Sequence, residues 1–138
     1  MNREFRLIII IIFIFCSKFS FAQSKIEILG AQRAEILVSS KLKKLVGDVK
    51  FRQNDVTLFC DSAYLNENKN EIEAFGNVRI NQADSIFLNG DYLNYQGNDK
   101  TARVERNVVL TDGEMTLYTP RLDYNLKTKI GYYQDSGR

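Results

Sequence analysis

The sequence predicts an all-β protein built by reiterating a pair of strands, and three observations predict it. Related stretches recur: GDVKFRQNDVTLFCDSAYLN from residue 47, GNVRINQADSIFLNGDYLNY from 76 and RNVVLTDGEMTLYTPRLDYN from 106 start 29 and then 30 residues apart. Within each unit the apolar residues alternate, and a period of two marks a half-buried strand. Between the alternating runs lie Asn, Asp and Gly, which tolerate the positive φ of tight reversals. No stretch beyond residue 22 carries a convincing helical period.

The chain opens differently. MNREFRLIIIIIFIFCSKFSFA has Arg3 and Arg6 at its start, an apolar run over 7–15, and small Ser20 and Ala22 where a cleavage site needs them. This pattern predicts a secretory signal peptide over 1–22. As a retained span the apolar run is short, since a bilayer takes about 20 residues. Bulky Phe15 before Cys16 argues against a lipid anchor there. The mature chain is then 23–138, one modest domain. Removing Arg3, Arg6 and Lys18 against Glu4 turns 19 basic and 17 acidic residues into 16 of each, a neutral chain. Neutrality speaks against nucleic acid as a partner. Lys41, Lys43, Lys44, Lys50 and Arg52 do cluster, and read better as a solvated strand edge than as an anion site.

Along the mature chain, the stretch from Lys25, with Ala34-Glu35-Ile36, supplies the second half of a unit whose first half is missing. Gly47-Asp48-Val49, Gly76-Asn77-Val78 and Arg106-Asn107-Val108 then start three units, the last without its glycine. The expected strands carry Val49/Phe51, Val56/Leu58/Cys60, Val78/Ile80, Ile86/Leu88, Ala102/Val104, Val108/Leu110 and Met115/Leu117. Turns fall at 53–55, 81–84 and Asp112-Gly113, the last being the best hairpin signal; longer polar connections fall at 66–71, 96–100 and 125–129. That makes about eight to ten strands. Pro120, the only proline, belongs at an edge or a bulge. Cys60 is the only mature cysteine, so no internal disulfide forms, and its place after Val56 and Leu58 favours burial as a small hydrophobe. Stacked strand pairs bury one continuous apolar seam, the design of scaffolds and extended binding surfaces.

These G-[DN]-V units, each a short strand, a polar turn and a second strand ending in an Ala-Tyr-Leu-Asn-like block, follow a signal peptide and resemble the OstA-like family over roughly 26–138. That family includes the periplasmic lipopolysaccharide transport protein LptA, the bitopic LptC and the N-terminal domain of LptD. The resemblance implies a twisted antiparallel β-jellyroll, open along one side, that shields lipopolysaccharide acyl chains on their way to the outer membrane. Its implied groove residues are Val49, Phe51, Val56, Leu58, Val78, Ile80, Ile86, Leu88, Val108, Leu110, Met115 and Leu117. Residue by residue, the same positions read better as an ordinary closed core, since groove and core look the same in sequence. Implied partners are lipopolysaccharide and related jellyrolls, LptC-like or LptD-like, in the periplasm or at the outer membrane; no cofactor is implied. Residues 134–138 stop where another unit would begin, which predicts either head-to-tail self-association through an open sheet edge or a longer parent chain.

Two other classes compete. A β-solenoid of a surface adhesin or filament would show the same period in parallel strands, but parallel coils have no use for hairpin signals. An enzyme finds little support in a chain without His, whose Asp48, Asp55, Asp84, Asp91 and Asp112 fall mostly where turns want Asp. No Asp-rich run matches a calcium loop.

Overall fold

The computed structural model describes residues 23–133, with Arg3 alone ahead of them; the signal peptide and the chain end at 134–138 lie outside the described residues. Nine strands follow: β1 (Glu27–Gly30), β2 (Arg33–Leu37), β3 (Leu42–Gln53), β4 (Val56–Asn66), β5 (Glu71–Gln82), β6 (Ile86–Gln96), β7 (Thr101–Thr111), β8 (Thr116–Asn125) and β9 (Ile130–Tyr133). They form one sheet in the order β1-β3-β4-β5-β6-β7-β8-β9, with β2 beside β3. The first and last strands do not pair, so the sheet is not closed. Every ladder is antiparallel, which removes the parallel solenoid. β1 and β2 share one edge of β3, opposite its second and first halves, as expected of an incomplete first unit.

The expected turns are where the reversals occur. Gln53 pairs with Val56 across a two-residue turn, and Gln82 with Ile86 across three residues. The Asp112-Gly113 signal does mark a reversal, but a longer one. Asp112 Oδ1 accepts the N–H groups of Glu114 and Met115, and Thr111 pairs with Thr116, so four residues make the turn.

Each long ladder breaks register once, near its middle: at Val46/Val49, Phe59/Ser62, Phe75/Val78, Asn89/Tyr92 and Glu105/Val108. The breaks are the G-[DN] pairs. Gly47 and Asp48 have φ of 81° and 44°, Gly76 and Asn77 79° and 45°, Arg106 and Asn107 64° and 53°. In the β3–β4, β5–β6 and β7–β8 ladders the pair stands opposite a single residue, Asp61, Asp91 or Pro120, the two-against-one count of a β-bulge. The motif therefore does not start strands, as the sequence reading had it; it bends β3, β5 and β7 at their centres. Gly suits the first position because it has no Cβ to clash at positive φ, and Asn or Asp tolerates the second. Side chains also bridge the corner: Gln32 Nε2 donates to Asp48 (2.9 Å), Asn77 Nδ2 to Asp61 (2.8 Å) and Asn107 Nδ2 to Asp91 (2.7 Å).

The corners divide the sheet into two half-sheets whose inner faces pack into one apolar cluster. On β4 the inward set changes parity at the corner, from Val56/Leu58/Cys60 to Ala63/Leu65. β6 does the same, from Leu88 to Leu93/Tyr95. Along the seam opposite the corners, Gln53 Nε2 donates to Gly97 O (2.8 Å) and Gln82 Nε2 to Leu126 O (2.7 Å), each rung spanning 44 residues of sequence. Stacked turns add backbone bonds, Gly97 N to Asn70 O and Leu126 N to Lys100 O. No helix among the described residues is long and apolar enough to cross a membrane.

Candidate functional site

The twelve expected groove residues separate into two groups. Val49, Phe51, Val56, Leu58, Val78, Ile80, Leu88 and Val108 are no more than 3% exposed and are packed on all sides. Ile86, Leu110 and Leu117 are only partly buried at the edge of that cluster, and Met115 is 74% exposed. Met115 departs from the expected inward alternation because the Asp112 turn extends through it and β8 begins one residue later.

These four residues come together. With Tyr124 and Lys129 they line a mainly apolar concavity of about 430 Å³ at the C-terminal end of the interior. The N-terminal end is different. Ile26 covers Phe51, Val56, Leu58, Ile72 and Tyr95, leaving about 10 Å³ of free space. Ser24 O accepts from Gln53 Nε2 (2.8 Å) and Asn70 Nδ2 (2.9 Å), and Ile26 N donates to Asn70 Oδ1 (2.9 Å). The interior is thus sealed at one end and open at the other. A larger hollow, about 740 Å³, lies at the β7–β8 corner, past Arg106, Val109, Tyr118 and Pro120. Val109 and Tyr118 in its wall face away from the core, while Val108 and Thr119, also in its wall, are buried.

Sequence reasoning named only Ala102 and Val104 on the other half-sheet's inner face and missed Leu45, Leu65, Ile72, Leu93 and Leu122, which are each about as buried as Val49. The signal was present in the same alternation, as in Ile72/Ala74 and Leu93/Tyr95. It also missed Gln53 and Gln82, polar residues at inward positions that are 3% and 6% exposed. Their recurrence after Phe51 and Ile80, 29 residues apart, was the available sign.

Electrostatics gives the interior no reactive group. Burial, and then the neighbouring Asp61 carboxylate, push the Cys60 thiol up to about 12, so it stays protonated at neutral pH. Burial raises Tyr95 strongly and Tyr124 as well. Outside, two backbone N–H bonds from Met115 and Glu114 lower Asp112. The basic cluster is dispersed along β3: Lys43 pairs with Glu67 (2.6 Å), Arg52 with Glu27 (3.6 Å), and Lys50 lies over the Phe59 ring, which also carries Arg79. Asp48 and Asp91 sit at corners, not at hairpin turns, each accepting from an amide. Among the described residues no group of three or more Cys, Asp or Glu could hold a metal ion.

The bent sheet matches solved structures. One is LptH of Pseudomonas aeruginosa, described as the LptA-homologous periplasmic component of the conserved lipopolysaccharide transport device; it superposes with a TM-score of 0.72 at 16% identity, covering 80% of this chain and 82% of that one. The nine-stranded antiparallel sheet is therefore a β-jellyroll of the LptA kind. No curated protein sequence matches the chain. The family model of OstA-like proteins matches residues 23–138, the whole of the expected mature chain, and the protein belongs to the OstA-like family.

Proposed function

We propose that this protein is an exported, non-enzymatic carrier that shields the acyl chains of lipopolysaccharide in the periplasm, as one jellyroll of a bridge to the outer membrane. The observation that carries the reading is the apolar concavity at the open C-terminal end of an otherwise sealed interior. Hydrocarbon moved from water into such a surface gains about 25 cal/mol per Å². Transport of this kind makes and breaks no bond, in keeping with a buried, protonated Cys60 and a chain without His. The family model begins at Gln23, which supports cleavage after Ala22. Further jellyrolls, LptC-like, LptD-like or a second copy, fit the edge of β8, where among the described residues Thr116–Thr119 pairs only with β7 while β9 takes the other half.

The experiment is photo-crosslinking from side chains installed at Ile86, Leu110 and Leu117, against Phe51 and Ile80 in the sealed block and outward Thr57 as controls. Lipopolysaccharide adducts are expected at the first three and not at the controls. Folded variants that capture no lipid at any of the three would end the carrier reading. The block at 3% exposure or less supports a second one, a spacer whose interior only packs and whose edges do the work. N-terminal sequencing of the exported protein checks the leader: Gln23 is expected first, and retained Met1 contradicts cleavage.

A further inference from the structure

The half-sheet that buries Leu93, Val104 and Leu122 on its inner face carries a hollow on its outer one. There the outward residues alternate with the buried ones, and on β7 and β8 several are short: Thr101, Asp123 and Asn125. Taller side chains flank them, Tyr92 on β6 at one side and Tyr132 on β9, 70% exposed and paired with Asp123, at the other. Together they border about 630 Å³. From β6 to β9 the hollow crosses three strand spacings, about 14 Å. The polar groups of its floor are held in place. Asn94 Nδ2 and Gln96 Nε2 both donate to Glu71 Oε1, at 3.0 and 2.8 Å, and Gln96 also donates to Asn94 Oδ1 (2.9 Å). Arg103, opposite Asn94 in the same cross-strand row, donates from Nε to Asp123 Oδ1 at 2.8 Å. Asn125 Oδ1 accepts the N–H groups of Lys127 and Thr128, which fixes its amide too. Phe75 meets the Tyr92 ring edge-on with centroids 5.5 Å apart, and the Tyr92 hydroxyl donates to Glu73 (3.0 Å).

Such a floor suits one kind of ligand. Amide, carboxylate and guanidinium groups are planar and two-pronged, so each can engage a pair of neighbouring hydroxyls. A tyrosine ring adds an apolar face for the C–H side of a sugar ring. An extended peptide has no purchase here, because beneath a sheet face the backbone N–H and C=O groups are already spent in the ladders. Charge narrows the class further. In the lining Glu105 and Asp123 outnumber Arg103, which Asp123 already holds, and Glu71 and Glu73 border the floor. An anionic ligand would meet those carboxylates. We infer that the outer face between Tyr92 and Tyr132 binds an uncharged oligosaccharide, with hydroxyls on Asn94, Gln96, Asp123 and Asn125 and a sugar ring against Tyr132. Asn94, Arg103 and Asp123 face away from the apolar cluster that Ile86, Leu110 and Leu117 adjoin, so this site stands or falls independently of the carrier reading.

The test titrates the mature chain with maltotetraose and cellotetraose, both uncharged, and with tetragalacturonate, a polyhydroxy chain of like length that carries carboxylates. The side-chain amide NMR signals of Asn94, Gln96 and Asn125 are expected to shift with at least one uncharged chain at up to about 10 mM, past the millimolar scale of weak specific binding. Those of Gln53 and Gln82, both buried in the interior, are expected to stay still. Tyr132→Ala and Asn94→Ala are each expected to weaken that binding about fivefold to tenfold, the scale of one lost stacking or hydrogen-bond contact. Tetragalacturonate is expected to bind more weakly than the uncharged chain. No shift with either uncharged chain, shifts that spare all three amides, affinity that both variants leave unchanged, or tighter binding of tetragalacturonate to the wild type overturns the inference. Where a variant does not fold, the wild-type shifts decide.

Discussion

Cys60 shows at the scale of one residue how position decides chemistry. Alternation with Val56 and Leu58 puts its thiol inward, and the interior holds it protonated up to about 12. The sign of the pH effect follows: a folded value raised from 9.0 means the unfolded state loses its proton first, so stability present below pH 9 is lost as pH rises toward 12. Tyr92, Tyr95 and Tyr124 are raised too and act in the same direction from pH 10 upward. The melting temperature is therefore expected to fall between pH 9 and 11, and less steeply in Cys60→Val. The thiol itself should react with a thiol reagent only as fast as the protein unfolds; rapid labelling of the native protein at pH 8 would contradict its burial. This residue was fully legible in the sequence, because burial on a strand face follows from parity alone.

At the scale of the element, the corner was seen in the sequence and misread. On β5 the inward residues Ile72, Ala74, Val78 and Ile80 keep one parity straight through Gly76-Asn77, so nothing in the alternation announces a bend. Only β4, β6 and β8, where parity changes after Cys60, Leu88 and Thr119, carry a readable sign of it. The geometry makes opposite predictions for two corners. Gly76→Ala sets a Cβ at φ 79° and 2.6 Å from the Asp61 carboxylate, and is expected to cost about 1–3 kcal/mol. Arg106 already bears the strain of a side chain at φ 64°, so Arg106→Gly should stabilise by about 0.5 kcal/mol, the gain reduced by losing its contact with the Tyr92 ring at 5.7 Å. Urea midpoints measure both. A less stable Arg106→Gly would mean that the guanidinium's stacking outweighs the backbone strain.

The whole molecule depends on how the half-sheets meet along the seam. Gln53 there serves Gly97 O, Ser24 O and the Tyr95 hydroxyl at once. Gln53→Leu strands those groups in the core and is expected to cost about 2–4 kcal/mol, with faster hydrogen exchange at the Gly97 amide, which sits on the same turn. The first half of β8 makes a prediction at the same scale. Next to Thr116–Thr119, which no strand beyond β8 covers among the described residues, Met115 and Tyr118 are 74% and 50% exposed, and Tyr132 on β9 is 70% exposed. An uncovered strand edge beside apolar side chains favours pairing with another strand. Sedimentation is expected to show association that grows with concentration, and a strict monomer at high micromolar concentration would show that this edge is protected.

Sequence by itself determined the strands and their antiparallel sense, because parity and turn chemistry are local: side chains alternate residue by residue, and Asn, Asp and Gly reverse the chain where they stand. It also determined that the copies share one apolar seam, since no strand pair in the repeat can bury its face alone. Which of the twelve inward residues pack and which line an opening was beyond it. Val78 and Leu117 look alike in an alternating pattern, but one has the far half-sheet over it and the other stands at the uncovered end. Ile26 seals Phe51 from a distance in sequence that periodicity does not encode, and the completeness of a glutamine rung depends on whether a tyrosine 42 residues away reaches it. Those facts belong to the tertiary structure, because burial is a property of what lies across the interior and not of the strand that carries the residue.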